Sequence, residues 1–288
     1  MRFYKIIRRD IQINPGSILT RVSIALLFFA FLFISFIFEV FHYFPMELGS
    51  PKNINQLGLS LGDLILVEAG GTIPKLDAMQ KRVILFPVSF FLIHIIPCCF
   101  TLNYLHDDIN QGGIQVFTRL GNMNLWWYSK CIHNFITVVS YYVLGFAVWA
   151  LLCLLTGKTE SLIPNSRVFE AFFGAYFTNA SLPAYEFILC MFILPVLVAS
   201  ALSLCEMTLT LFMKPIYSFF VICIYFISGI YILHPAFLTN YAMSVRNAAI
   251  GVYNFNSLFG ICLCLAISAA SVIIGKLRLR RFDIIGER

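Results

Sequence analysis

The chain reads as an all-α integral membrane protein with six transmembrane helices, and three observations carry that reading. Of its 288 residues, 60% are hydrophobic, 16% aromatic and only 12% charged, too few polar side chains to cover a water-soluble globule of this size. Apolar runs of about 20 residues recur along the whole length, each long enough to cross a hydrocarbon core as a helix. The basic residues behind the net charge of +6 gather at the two termini beside apolar runs, which marks orientation and contact with membrane lipid rather than a nucleic-acid partner. No separate soluble domain remains, so residues 1–288 form a single transmembrane domain.

Taken in order, the N-terminal segment 1–21 is basic and amphipathic. It is followed by an apolar run too long for a signal-peptide core, with no small-residue cleavage site, and is expected to be retained. Span one covers about 22–44, with Glu39 near its far end. Span two, about 83–105, carries Pro87 and Pro97, which predict a kink or freed carbonyls covered by neighbouring helices. Span three covers about 131–156. Span four, about 187–213, is interrupted by Pro195 and Glu206; Lys214 and Pro215 then turn into span five, about 216–233. Span six covers about 257–275, and the chain leaves as KLRLRRFDIIGER.

Six spans put both termini on one side. The N-terminal segment, the 106–130 loop, the turn at 214 and the tail hold 13 Lys and Arg, against 7 in the longer loops opposite. The positive-inside rule therefore places both termini and the 106–130 loop in the cytoplasm of a multi-pass cell-membrane protein. In the 157–183 loop, Phe169, Phe172, Phe173, Tyr176 and Phe177 recur at helical spacing, predicting an amphipathic helix on or in the outer leaflet. The 236–255 loop predicts a short re-entrant or surface helix packed against protein. The 45–82 loop has Gly and Pro punctuation around LSLGDLILVEAGG, and its structure is the least determined.

The longest cytoplasmic interruption, HDDINQGGIQVFTRLGNMNLWWYSKC, begins with Asp107 and Asp108 and breaks at Gly112 and Gly113. It then places Phe117, Leu120, Met123 or Leu125, and Trp127 at roughly helical spacing. Trp126, Trp127 and Lys130 just before the next apolar run suit the headgroup level. The stretch reads as a short helix along the membrane surface.

No catalytic constellation is found. Thr156-Gly157-Lys158-Thr159 copies the end of a phosphate-binding loop, but Leu152 stands where the first glycine is needed and no strand precedes it. Any energy must come from another subunit or an ion gradient. His94, Cys98, Cys99, Cys131 and His133 offer metal-ligand atom types, but no carboxylate or further His joins them, so neither a metal nor another cofactor is expected. All nine cysteines lie within or beside apolar runs, and no disulfide is implied. Glu206 is the one carboxylate well inside a span and reads either as a pathway residue or as a polar contact that holds the bundle together.

The run YLHDDINQGGIQVFTRLGNMNLWWYSKC, followed by LPVLVASALSLCEMTLTLFMKPIYSF and LTNYAMSVRN, resembles six-span permease subunits of type-2 ABC exporters from Gram-positive bacteria. The likeness extends from span two to the start of span six. Its most specific part is an Arg followed by Trp-Trp-x-Ser-Lys-Cys, met by Arg119, Trp126, Trp127, Ser129, Lys130 and Cys131; Gly121-Asn122-Met123-Asn124 departs from the basic or serine-rich cluster common there. The resemblance implies a permease exporting a peptide, antimicrobial or lipid-like substrate, without a nucleotide site of its own. A cytoplasmic ABC ATPase would dock on the loop between spans two and three, and a second permease copy or paralogue would complete the path. On that reading Asp107, Asp108, Arg119, Trp126, Trp127 and Lys130 couple to the ATPase, the tryptophans as anchor and the charges as grip. The rival class is a non-transporting membrane immunity or sensor protein that binds a peptide.

Overall fold

The computed structural model describes residues 15–47, 59–73, 75–76, 82–108, 123–157, 161–173, 184–248, 253 and 255–280. These are α1 (Pro15–Glu47), α2 (Leu61–Ala69), β1 (Lys75–Leu76), β2 (Arg82–Val83), α3 (Val88–Thr101), α4 (Tyr104–Asp108), α5 (Met123–Leu155) and α6 (Ser166–Phe173). They continue with α7 (Ala184–Ile188), a π-helical turn (Leu189–Ile193), α8 (Leu194–Leu209), α9 (Pro215–Tyr231), α10 (Leu238–Ala242), a 3-10 turn (Ser244–Arg246) and α11 (Ser257–Arg280). The protein is an all-α multi-pass membrane protein. Among the described residues a small ladder pairs β1 antiparallel to β2, Lys75 opposite Val83.

Five stretches among the described residues are long and apolar enough to cross a membrane: Ile18–Phe41, Val88–Asp108, Met123–Leu155, Tyr185–Leu209 and Ser257–Leu279. The predicted fifth span is the shorter apolar helix Pro215–Tyr231.

Helix α8 is the hub, packing on α3, α5, α9, α10 and α11, while α1 lies mainly along α5. Its sequence explains the position: Ala199, Ser200, Ala201 and Ser203 are buried, and small side chains let neighbouring backbones approach closely in lipid. Pro195 lies in its first turn and offers no N–H to the turn before it. The Leu194 N–H bonds Leu189 O instead, one residue wider than the α-helical pattern, and this accounts for the π-helical turn. Helices α1 and α5 are locked by Phe29, whose ring lies against Gly145 and whose carbonyl accepts from Trp149 Nε1 at 3.0 Å.

The regions between the long helices also fold. Ser60 and Asp63 form a capping box at the start of α2, and Asp63 Oδ1 accepts the Asn165 amide at 2.6 Å, tying α2 to the residues before α6. The side chains of Phe169 and Phe173 on α6 are buried in the main core with Phe36, Val40 and Leu64. The stripe expected to face the outer leaflet therefore has Phe169 and Phe173 packed on protein, with Phe172 half-buried. Tyr176 and Phe177 lie outside the described residues.

Arg246 is fully buried and answered entirely by oxygen acceptors. It donates to Thr72 O at 3.0 Å, to Gly229 O at 3.2 Å, to Ile230 O at 2.7 Å and to the side-chain oxygen of Asn240. Two of those carbonyls belong to the last turn of α9, where a cation satisfies orphaned acceptors and the helix dipole together. Burial lowers its pKa to about 10, with Tyr253 opposing, so the guanidinium stays charged at neutral pH.

Candidate functional site

The predicted coupling residues divide between two places. Arg119, Phe117 and Leu120 lie outside the described residues, as do all of 109–122. The segments on either side of that stretch are described, and they meet.

Asp108 ends α4, and Trp126 and Lys130 lie in the first two turns of α5, on one face by their i, i+4 spacing. Asp108 Oδ2 accepts from Lys130 Nζ at 3.0 Å and from Trp126 Nε1 at 2.9 Å. Lys130 Nζ also donates to Tyr104 OH at 3.0 Å and lies over the rings of Tyr104 and Trp126, 4.6 and 5.6 Å from their centroids. Tyr104 in turn stacks on His133, centroids 4.6 Å apart. The Lys130 side chain is 0% exposed and that of Asp108 14%. A buried ammonium with a carboxylate, a phenol and two π faces around it is held in one place. Asp107 next to it is exposed.

Trp127 points to a different neighbour. Its Nε1 donates to Val272 O on α11 at 2.9 Å, and its ring lies on Gly275, where a Cβ would come within 2.0 Å. Both indoles are fully buried with Leu105, Cys131, Leu204, Met207, Leu211 and Leu279. The tryptophans and the lysine, expected to face the headgroups, thus have their partners inside the protein. The helix that carries span three begins at Met123, and Trp126, Trp127 and Lys130 are interior residues of the bundle. The glycine gap on α11 and the acceptors Asp108 and Val272 O give the indole N–H groups partners inside the protein.

Of the pair Asp107–Asp108, one carboxylate is exposed and the other is an ion-pair acceptor. The pairing was not visible in the sequence because Asp108 and Lys130 stand 22 positions apart, too far for any local periodicity to join them. Tyr104 was missed for the same reason, and His133 was singled out only as a metal-ligand type, not as the ring that stacks on it. Glu68 was missed too, although Ser60-x-x-Asp63 ahead of an apolar run is a legible start for the helix that carries it.

Glu206 is buried, and the Cys98 thiol is the side chain that bonds its carboxylate. One turn earlier Ser203 Oγ donates to Asn134 Oδ1 at 2.7 Å and lies 2.9 Å from Thr101 Oγ1, joining α8 to α5 and α3. No group of three His, Cys, Asp or Glu among the described residues could hold a metal ion. Thr156 and Gly157 close α5, with Gly157 at φ 66° and its N–H on Leu154 O, while Lys158 and Thr159 lie outside the described residues. This helix C-terminus presents carbonyls rather than the amides a phosphate needs.

Fold and site define a multi-pass, all-helical membrane protein with a buried ion pair where two of its long helices meet. No family model, no curated protein and no solved structure matches the chain.

Proposed function

We propose that the chain is the membrane-spanning permease subunit of an ABC transporter, exporting a peptide, antimicrobial or lipid-like substrate and energised by a separate cytoplasmic ATPase. Counting α9 as the sixth span, at about 25 Å the shortest that still crosses, both termini and residues 109–122 share the cytoplasmic side. The observation that carries the reading is the Asp108–Lys130–Trp126 junction. A loop transmits a partner's movement only if its ends are fixed to the spans it must move. Here the two segments flanking 109–122 are fixed to each other, and Trp127 fixes α5 to α11. A push on the loop is therefore delivered to three long helices at once.

A photo-crosslinking residue at position 119, in the native membrane, tests the assignment. It should trap a polypeptide that is also labelled by an azido-ATP probe. Trapping only lipid or the chain itself would contradict it.

A further inference from the structure

Helices α9 and α11 both pack on α8 and on α10 rather than on each other. A groove runs between them. Cys205 and Leu209 of α8, both half-buried, form its floor. Phe219 and Cys223 of α9 make one wall and Leu263 and Ile267 of α11 the other, all half-buried against the same core. Floor and wall are joined where Cys205 Sγ lies 3.1 Å from Ser271 Oγ. Helix α10 closes one end: Thr239 lies on Gly229 of α9 and Tyr241 on Gly260 of α11, where an added Cβ would come within 2.7 and 2.9 Å of them.

The other end is positive. Arg278 Nε donates to Leu211 O at 3.4 Å, and its guanidinium lies 5.3 Å from the centroid of the Phe212 ring, which seats it on the turn between α8 and α9. Lys214 ends that turn, is exposed and has no carboxylate partner among the described residues. It is also the N-cap of α9, where helices favour an oxygen side chain and the dipole opposes a cation. Two cations and a positive helix end thus meet where an anion would be stabilised by all three. The exposed rings of Phe212 and Tyr217 beside them belong at a membrane surface rather than in water. From Leu263 to Arg278 the wall is about 22 Å long, more than the ~15 Å of one leaflet's hydrocarbon. A cationic mouth on an apolar slot of that length complements a lipid with an anionic headgroup.

We propose that the groove on α8 between α9 and α11 binds an anionic phospholipid, its phosphate on Lys214 and Arg278 and an acyl chain along Cys205 and Leu209. This goes beyond the exporter reading and is tested without an ATPase, so the failure of either leaves the other standing.

The test is the melting temperature of the detergent-purified full chain titrated with dioleoylphosphatidylglycerol, dioleoylphosphatidylcholine and inorganic phosphate. Phosphatidylglycerol should give a saturable rise of a few degrees, phosphatidylcholine a much smaller one and phosphate none. Arg278→Gln and Lys214→Gln should each at least halve the rise. Lys276→Gln, whose partner is Tyr128 on α5, should leave it intact. Ile267→Trp, which fills the groove and keeps both cations, should abolish it. If Arg278→Gln does not purify as a single species, Lys214→Gln at its exposed position carries the charge test. No rise with phosphatidylglycerol, equal rises from the two lipids, a rise from phosphate alone, or a full rise in Lys214→Gln would overturn the site. So would a dimer that persists in phosphatidylglycerol and cross-links through position 209, because the groove would then be an interface between copies.

Discussion

Lys130 and Asp108 form an ion pair 3.0 Å long in which the lysine is wholly buried and the aspartate only mostly so. The asymmetry predicts which partner matters more. Replacing Asp108 by Ala strands an ammonium in the interior, which costs roughly 3–5 kcal/mol. Replacing Lys130 by Met leaves a carboxylate that reaches solvent and still holds Trp126, so it should cost less, about 1–2 kcal/mol. Chemical denaturation of the two variants in detergent checks the order, and the double variant gives the coupling. Equal costs with no coupling would mean that the pair does not fix the ends of the loop.

The contact of Trp127 with Gly275 makes a second prediction, for the junction of α5 and α11. A methyl group at 275 would overlap the indole ring, and overpacking of this kind costs about 1–3 kcal/mol. Gly275→Ala should therefore lower the melting temperature. Combining it with Trp127→Leu should cost less than the sum of the two single changes, since the smaller side chain relieves the clash. Strict additivity would show that the ring and the glycine do not meet.

Glu68 sets a pH dependence on the other side of the bundle. It is 1% exposed on α2. Burial above all, and then the charge of Glu39, raise its pKa to about 8 against a hydrogen bond from the Ser89 hydroxyl, which acts in the opposite direction. The folded chain thus keeps a proton that the unfolded chain releases near 4.5. Stability is highest below that value and falls as pH rises toward 8, by on the order of 3–5 kcal/mol. Glu68→Gln should match the unaltered protein at pH 4 and exceed it at pH 9. An unchanged slope between those values would assign the effect elsewhere.

How far the sequence could be read follows from what each residue's neighbours supply. Apolar runs reveal long helices without any knowledge of packing, because lipid alone explains them. The start of α5 was placed too late because Ser129 and Lys130 looked interfacial. Their polarity is met inside the protein, Lys130 by Asp108 and Tyr104, a tertiary fact with no local periodicity. Helix α2 was obscured by the glycines at its ends, although its capping box was present. The buried Arg246 lay in a loop read as mixed, and nothing nearby in sequence shows that its partners are carbonyls of α9 and the residues after α2.

The central claim, that this chain is driven by an ATPase gripping residues 109–122, is tested most directly by purifying it from its native membrane in mild detergent and measuring ATP hydrolysis in the same fraction. Vanadate-sensitive hydrolysis should co-elute with the unaltered chain. Arg119→Glu, expressed and recovered at the same yield, should lose most of that activity, because reversing a charge at an interface turns attraction into repulsion. No co-eluting hydrolysis from the unaltered chain, or full hydrolysis retained by Arg119→Glu, would contradict the account.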